Sequence, residues 1–194
     1  MNLLRSRWST MCVAVGLGCL LVCPAPSRAQ AFVELGGGWN YAAPPPGVAS
    51  YTSGSNVQVS IGWQVAPNFR WRIDAFRSQV VAHLMANLPC PMQGCPASAY
   101  FQSERVDALT VNGLLSLDQR GIFYLIGGAG HYELSDINVP AGEGHFGVSA
   151  GAGIAVPVAP RLRAVVEARW HGLFGTRNTN GPTSLVPLTV GLRF

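Results

Sequence analysis

The feature that most constrains this chain is strict alternation of apolar and polar side chains over long runs. In Val57-Gln-Val-Ser-Ile-Gly-Trp-Gln-Val65, one face carries Val57, Val59, Ile61, Trp63 and Val65, and the other Gln58, Ser60, Gly62 and Gln64. Successive side chains of a β-strand point to opposite faces, so period two means strand. From Phe146 to Val156, Phe146, Val148, Ala150, Ala152, Ile154 and Val156 oppose Gly147, Ser149, Gly151 and Gly153. Leu162, Ala164, Val166, Ala168 and Trp170 oppose Arg163, Glu167, Arg169 and His171. At the C-terminus, Val186, Leu188, Val190, Leu192 and Phe194 alternate with Pro187, Thr189, Gly191 and Arg193.

Eight such segments can be drawn, at roughly 31–42, 55–66, 69–82, 102–117, 121–133, 144–158, 161–173 and 184–194. A tilted strand needs about 9–11 residues to cross a bilayer, whereas strands of soluble proteins are usually near 5–6. The connections alternate. Ala66-Pro67-Asn68, Asp118-Gln119-Arg120-Gly121 and Ala159-Pro160 are tight; 43–54, 83–101, 134–143 and 174–183 are longer and rich in Gly and Pro. Short turns at one end and long loops at the other are the asymmetry of transmembrane barrels. The reading is all-β: an eight-stranded antiparallel transmembrane β-barrel, an up-and-down meander with both termini on the periplasmic side. Two places resist it. Both faces of Ile122 to Tyr132 are apolar or Gly, so neither is assigned to lipid. In the third segment Phe69, Trp71 and Ile73 oppose Arg70, Arg72 and Asp74, but beyond Ala75 the alternation weakens, and whether Phe76 marks a bulge stays open.

Composition narrows the classes. Charged residues make up 11% of the chain, too few for an ordinary soluble enzyme. The mean hydropathy of +0.25 is too low for a helical membrane protein. The net charge of +4 is not gathered into a basic patch, which argues against nucleic acid. Residues 1–29 read as an export signal: Arg5 and Arg7 precede an apolar stretch from Met11 to Val22, too short to span a bilayer. Cleavage fits after Ala29 or after Ala31, leaving 30–194 as the barrel domain. Val22 before Cys23, and the apolar run continuing past Cys19, argue against lipoprotein processing. Cys90 and Cys95 then remain in the turn-rich Pro89–Pro96 segment, where an oxidising compartment predicts a loop disulfide. Two soft ligands do not make a metal site.

Side-chain size indicates which face meets lipid. The polar faces are small or charged, as a narrow lumen requires. The apolar faces are bulky and carry Trp39, Tyr41, Trp63, Trp71, Trp170 and Phe194 near their ends, as an aromatic girdle does. Glu34, Arg70, Arg72, Asp74, Arg163, Glu167 and Arg169 then face inward. An eight-stranded barrel has room inside only for side chains, and an unpaired buried charge costs several kcal/mol, so these seven are expected to form an ion-pair network that plugs the lumen.

Three pieces carry a family resemblance: Phe123-Tyr-Leu-Ile-Gly-Gly-Ala-Gly130, the stretch Phe146 to Glu167, and the terminal Val190-Gly-Leu-Arg-Phe194. The mature chain resembles the small outer-membrane β-barrels of the OmpA/OmpX and opacity-protein type, barrel domain only. The resemblance implies a bacterial outer-membrane location, contact with lipids and lipopolysaccharide, and a C-terminal signal (Val190, Leu192, Phe194) read by the barrel-assembly machinery. Longer relatives carry a peptidoglycan-binding domain; none is expected after this barrel, so that anchoring role is not expected to carry over.

No catalytic set stands out. The histidines are His83, His131, His145 and His171; His131, near Glu133, Ser135 and Asp136, has the best local company, and chance proximity at a strand end explains it. Phosphate loops, zinc motifs and dinucleotide fingerprints are absent, and no cofactor is expected. The leading expectation is a non-enzymatic barrel with a structural or surface-interaction role, meeting an extracellular partner at its loops. The competing readings are a narrow porin-like channel, a lipid A-modifying barrel enzyme, and a soluble lipocalin-like binder.

Overall fold

The structure is a computed structural model that describes residues 30–43, 50–52, 54–85, 99–136, 143–175 and 184–194. Its strands are β1 (Ala31–Ala43), β2 (Ser50–Thr52), β3 (Gly54–Ala66), β4 (Phe69–Met85), β5 (Ala99–Ser116), β6 (Phe123–Asp136), β7 (Glu143–Ala159), β8 (Leu162–Phe174) and β9 (Ser184–Arg193). β2 and β3 pair successive stretches of β4 and count as one stave. Each stave runs antiparallel to the next, and β9 returns to β1, so the eight staves close. Among the described residues closure leaves an edge only at the three-residue β2, which pairs with β4 alone; closing the rest is the way a sheet satisfies its backbone polar groups in hydrocarbon.

The register fixes the barrel's shape. Neighbours followed once around run Phe32, Gly62, Arg72, Asn112, Gly128, Ser149, His171, Leu185 and back to β1 at Ala42, ten residues beyond the start. At standard residue rise and strand spacing, a shift of ten over eight staves tilts the strands by about 40° and sets a backbone radius of about 8 Å. That leaves an interior the width of packed side chains.

The bulky faces point outward. Val57 is 57% exposed, Leu125 45% and Trp39 66%, while Arg72 and Asp74 are fully buried. A continuous exterior of this kind would aggregate in water; hydrocarbon is the solvent that suits it. Trp63, Trp71, Phe123 and Phe194 lie toward the end with the short turns, and Trp39, Tyr41, Trp170, Phe146 and Phe174 toward the other. Phe146 and Phe174 stack across β7 and β8 at 6.4 Å.

The two unsettled segments acquire definite faces. In β6, Tyr124, Ile126 and Tyr132 are buried in the lumen and Phe123 and Leu125 face out. The large inward rings fit because β7 offers glycine beside them, Gly153 directly opposite Tyr124 and Gly147 diagonal to Tyr132. A Cβ on Gly153 would come within 2.3 Å of the Tyr124 ring, and one on Gly147 within 2.6 Å of Tyr132. Phe76 is not a bulge: pairing runs unbroken through it on both sides, and its ring is buried in the interior. The register shifts fall instead at Gln64/Ala66 and Pro157/Ala159, each beside a tight turn.

Alternation fades past Ala75 because polarity inverts there. Toward the long-loop end the interior becomes apolar, with Phe76, Val80, Val106, Tyr132, Leu134, Leu173 and Leu185 in one cluster. The exterior of the same staves carries Arg77 and Arg105, both within 3.1 Å of Asp107. On β4 and β5 the barrel here follows the rule of a soluble protein, polar outside and apolar inside, while β1, β7 and β8 keep aromatic rings outward.

Candidate functional site

The middle of the lumen holds six charges drawn from four staves: Glu34 of β1, Arg72 and Asp74 of β4, Glu167 and Arg169 of β8, and Arg193 of β9. Strand alternation aims all of them inward, and the register sets them at neighbouring levels. Arg72 is the hub, reaching Glu34 at 3.1 Å, Asp74 at 2.7 Å and Glu167 at 2.8 Å. Arg169 pairs with Asp74 at 2.7 Å and with Glu167. Arg193 reaches Glu34 at 2.7 Å, and its guanidinium lies 4.7 Å from the centroid of the Phe32 ring. β4 and β8 are four staves apart in either direction, so the Arg72–Glu167 contact crosses the full bore.

Neutral groups use the remaining lone pairs. Tyr124 Oη donates to Glu167 at 2.8 Å, and Asn112 Nδ2 donates to Asp74 at 2.9 Å. Ser149 Oγ donates to the Asn112 amide oxygen at 3.0 Å. One level up, the Tyr132 hydroxyl meets His171 Nδ1 at 2.7 Å, with Phe76 stacked on the imidazole at 5.3 Å. All six charged residues are 5% exposed or less, so side chains fill this level of the bore.

Of the seven residues predicted to share the lumen network, Glu34, Arg72, Asp74, Glu167 and Arg169 come together. Arg70 and Arg163 do not join them. Both sit at the short-turn mouth, where Arg163 Nη1 donates to the carbonyls of Arg120 and Gly121 at 3.3 and 3.1 Å. Their distance along the strands explains it: Arg70 lies one turn of the pleat below Arg72, and Arg163 two below Glu167. Arg193, Asn112 and Tyr124 were not singled out from the sequence. Arg193 sits on the polar face of the last segment, and this was the available signal; Asn112 and Tyr124 lie in segments whose inward faces look apolar or mixed.

Val190, Leu192 and Phe194 face outward, each more than 40% exposed. His131 and Glu133 also lie on the outer face, apart from the buried Ser135. Cys90 and Cys95, and the export segment 1–29, lie outside the described residues. Among the described residues no three His, Cys, Asp or Glu side chains are grouped to hold a metal ion.

A closed antiparallel meander of eight tilted staves is the fold of the small outer-membrane barrels. Neisserial surface protein A has it: the two structures superpose with a TM-score of 0.59 at 13% identity, over 86% of this chain and 98% of that one. Weaker likenesses are to Ail of Yersinia pestis (TM-score 0.49, 11% identity, 85% of this chain and 99% of that one) and to OprG of Pseudomonas aeruginosa (0.49, 10%, 85% and 96%). At such identities the likeness speaks to the fold alone, and only the first superposition is close enough to do so. No protein-family profile matches the sequence, and no curated protein does.

Proposed function

We propose that this chain is an integral outer-membrane barrel that does not conduct, and that acts through its lipid-facing wall and the loops at its long-loop end. The observation that carries this reading is the packed charge layer: Arg72 and Asp74 have no exposed surface, and Glu34, Glu167 and Arg169 have 3%. A hydrated ion would have to displace a charge-balanced cluster whose members hold one another across the bore. On this reading the short turns and both chain ends face the periplasm. Lipids and lipopolysaccharide cover the belt between the aromatic rows, and the assembly machinery reads Val190, Leu192 and Phe194. The long loops, including the Cys90–Cys95 segment, meet an extracellular partner.

Single-channel recording of purified protein in planar bilayers tests it. The expected record is flat, without steady open levels. A stable, large conductance from homogeneous protein would mean that the cluster opens and that the porin-like reading is the right one.

A further inference from the structure

We propose that the short-turn mouth of the barrel is a binding site for a small phosphate-class oxyanion, held by Arg70, Arg163 and Arg193. The mouth is a cavity of about 860 Å³ whose lining includes those three arginines and Arg161 but no aspartate or glutamate; Phe194 also lines it, and its main-chain oxygen accepts from Val33 N–H at 3.2 Å. One turn brings two of the cations together. Arg70 Nη2 packs so closely on Gly121 that a Cβ there would lie 2.5 Å from it, and Arg163 donates to the carbonyl of the same glycine. Arg193 rises from the cavity toward Glu34, which the buried network shares with Arg72.

Arg193 already pairs with Glu34, but the two cations nearer the turn are under-compensated. Among the described residues Arg70 and Arg163 form no ion pair, and Arg70 Nη1 and Arg193 Nη1 are buried without a hydrogen-bond partner. Asp118, in the same turn, spends its carboxylate on the backbone N–H groups of Arg120 and Phe123. A guanidinium fork matches the oxygens of a phosphate or a comparable oxyanion, and the cavity is lined by the arginines that present it. The acceptor could arrive as a free anion or as the headgroup of a phospholipid, and the chemistry is the same. This inference rests on the geometry of the mouth and stands whether or not the lumen conducts.

The test is a titration of detergent-solubilised protein with inorganic phosphate against chloride at equal ionic strength, followed by the thermal unfolding midpoint and phosphorus NMR line width. Wild type is expected to bind phosphate and to unfold several degrees higher with it. Arg70→Gln should fold at least as well as wild type without phosphate, since a repelling charge is removed, and bind at least about tenfold more weakly, as loss of one charge-assisted contact implies. Arg70→Lys keeps the charge but not the fork and should fall between. In a second arm, nanodiscs of phosphatidylglycerol are compared with nanodiscs of phosphatidylcholine. A rise confined to the anionic lipid and dependent on Arg70 supports the site with a headgroup as its occupant. An equal phosphate response in wild type and Arg70→Gln, or no response to either source, overturns it.

Discussion

Two residues at the short-turn end show how single groups hold the fold. Asp118 accepts from the backbone N–H of Phe123 at 2.8 Å and of Arg120 at 3.0 Å, and Gly121, at φ +63°, lets the chain reverse between them. Partial desolvation pushes the Asp118 carboxyl upward, but several backbone N–H donors together outweigh it and hold the group below its ordinary value of 3.8. A carboxyl held low in the folded state contributes stability that is present above the unfolded value and lost as pH falls through the folded one. Asp118→Ala should therefore unfold more readily than wild type at neutral pH, and the gap should begin to narrow below about pH 4. Urea unfolding in lipid vesicles at pH 7 and pH 3 measures both. Gly153 is the other case. The methyl of Gly153→Ala would strike the Tyr124 ring, which is 1% exposed and hydrogen-bonded to Glu167. The ring must move and surrender that bond, so the variant should lose about 1–3 kcal/mol in the same assay.

At the scale of the strand, the sequence is most legible where one rule governs the whole length. β3, β8 and β9 lie within or near the lipid belt, and their alternation gives both boundaries and faces. β4 and β5, with 17 and 18 residues, outrun it. Past Ala75 on β4 the exterior changes from Trp71 and Ile73 to Arg77 and Gln79, and the interior from Arg72 and Asp74 to Phe76 and Val80. The period stays at two while its polarity reverses, so a reading keyed to apolar-outward loses the signal and ends the strands early. β6 was ambiguous for a different reason: its inward rings are apolar because β7 beside them is glycine, a partnership visible only once the register is known. The charge cluster was legible in part. Arg-X-Asp and Glu-X-Arg on presumed inward faces could be read, but how far each residue sits from the barrel mouth depends on stagger, and that separated Arg70 and Arg163 from the rest. The reversal itself is testable by spin labels. A nitroxide at Gln79 should be reached by a water-soluble nickel complex, and one at Val111 by oxygen dissolved in the bilayer. Preferential oxygen access at both sites would place the upper part of β4 in lipid as well.

For the molecule as a whole, the central cluster acts as a charge-balanced unit: Glu34, Asp74 and Glu167 against Arg72, Arg169 and Arg193. Its bonds join β1, β4, β8 and β9 across the bore, so it braces the cross-section from inside while the backbone ladder closes the circumference. Desolvating six charges is expensive, and the cluster repays that only while every member has its partners. The balance predicts a pattern in a mutant cycle that a sum of separate bonds would not. Glu167→Gln leaves Arg72 and Arg169, both buried, each short of an anion, and should cost about 3–5 kcal/mol. Arg169→Gln leaves Asp74 and Glu167 short of a cation and should cost a similar amount. The double variant restores neutrality and removes both members of one pair, so its cost should fall well below the sum, with a coupling of about 1–3 kcal/mol. The readout is the temperature at which the compact, fast-migrating form on a gel converts to the slow one, since closed barrels resist detergent until heated. A midpoint for the double variant that drops by the full sum of the single shifts would show six independent contacts instead of one brace.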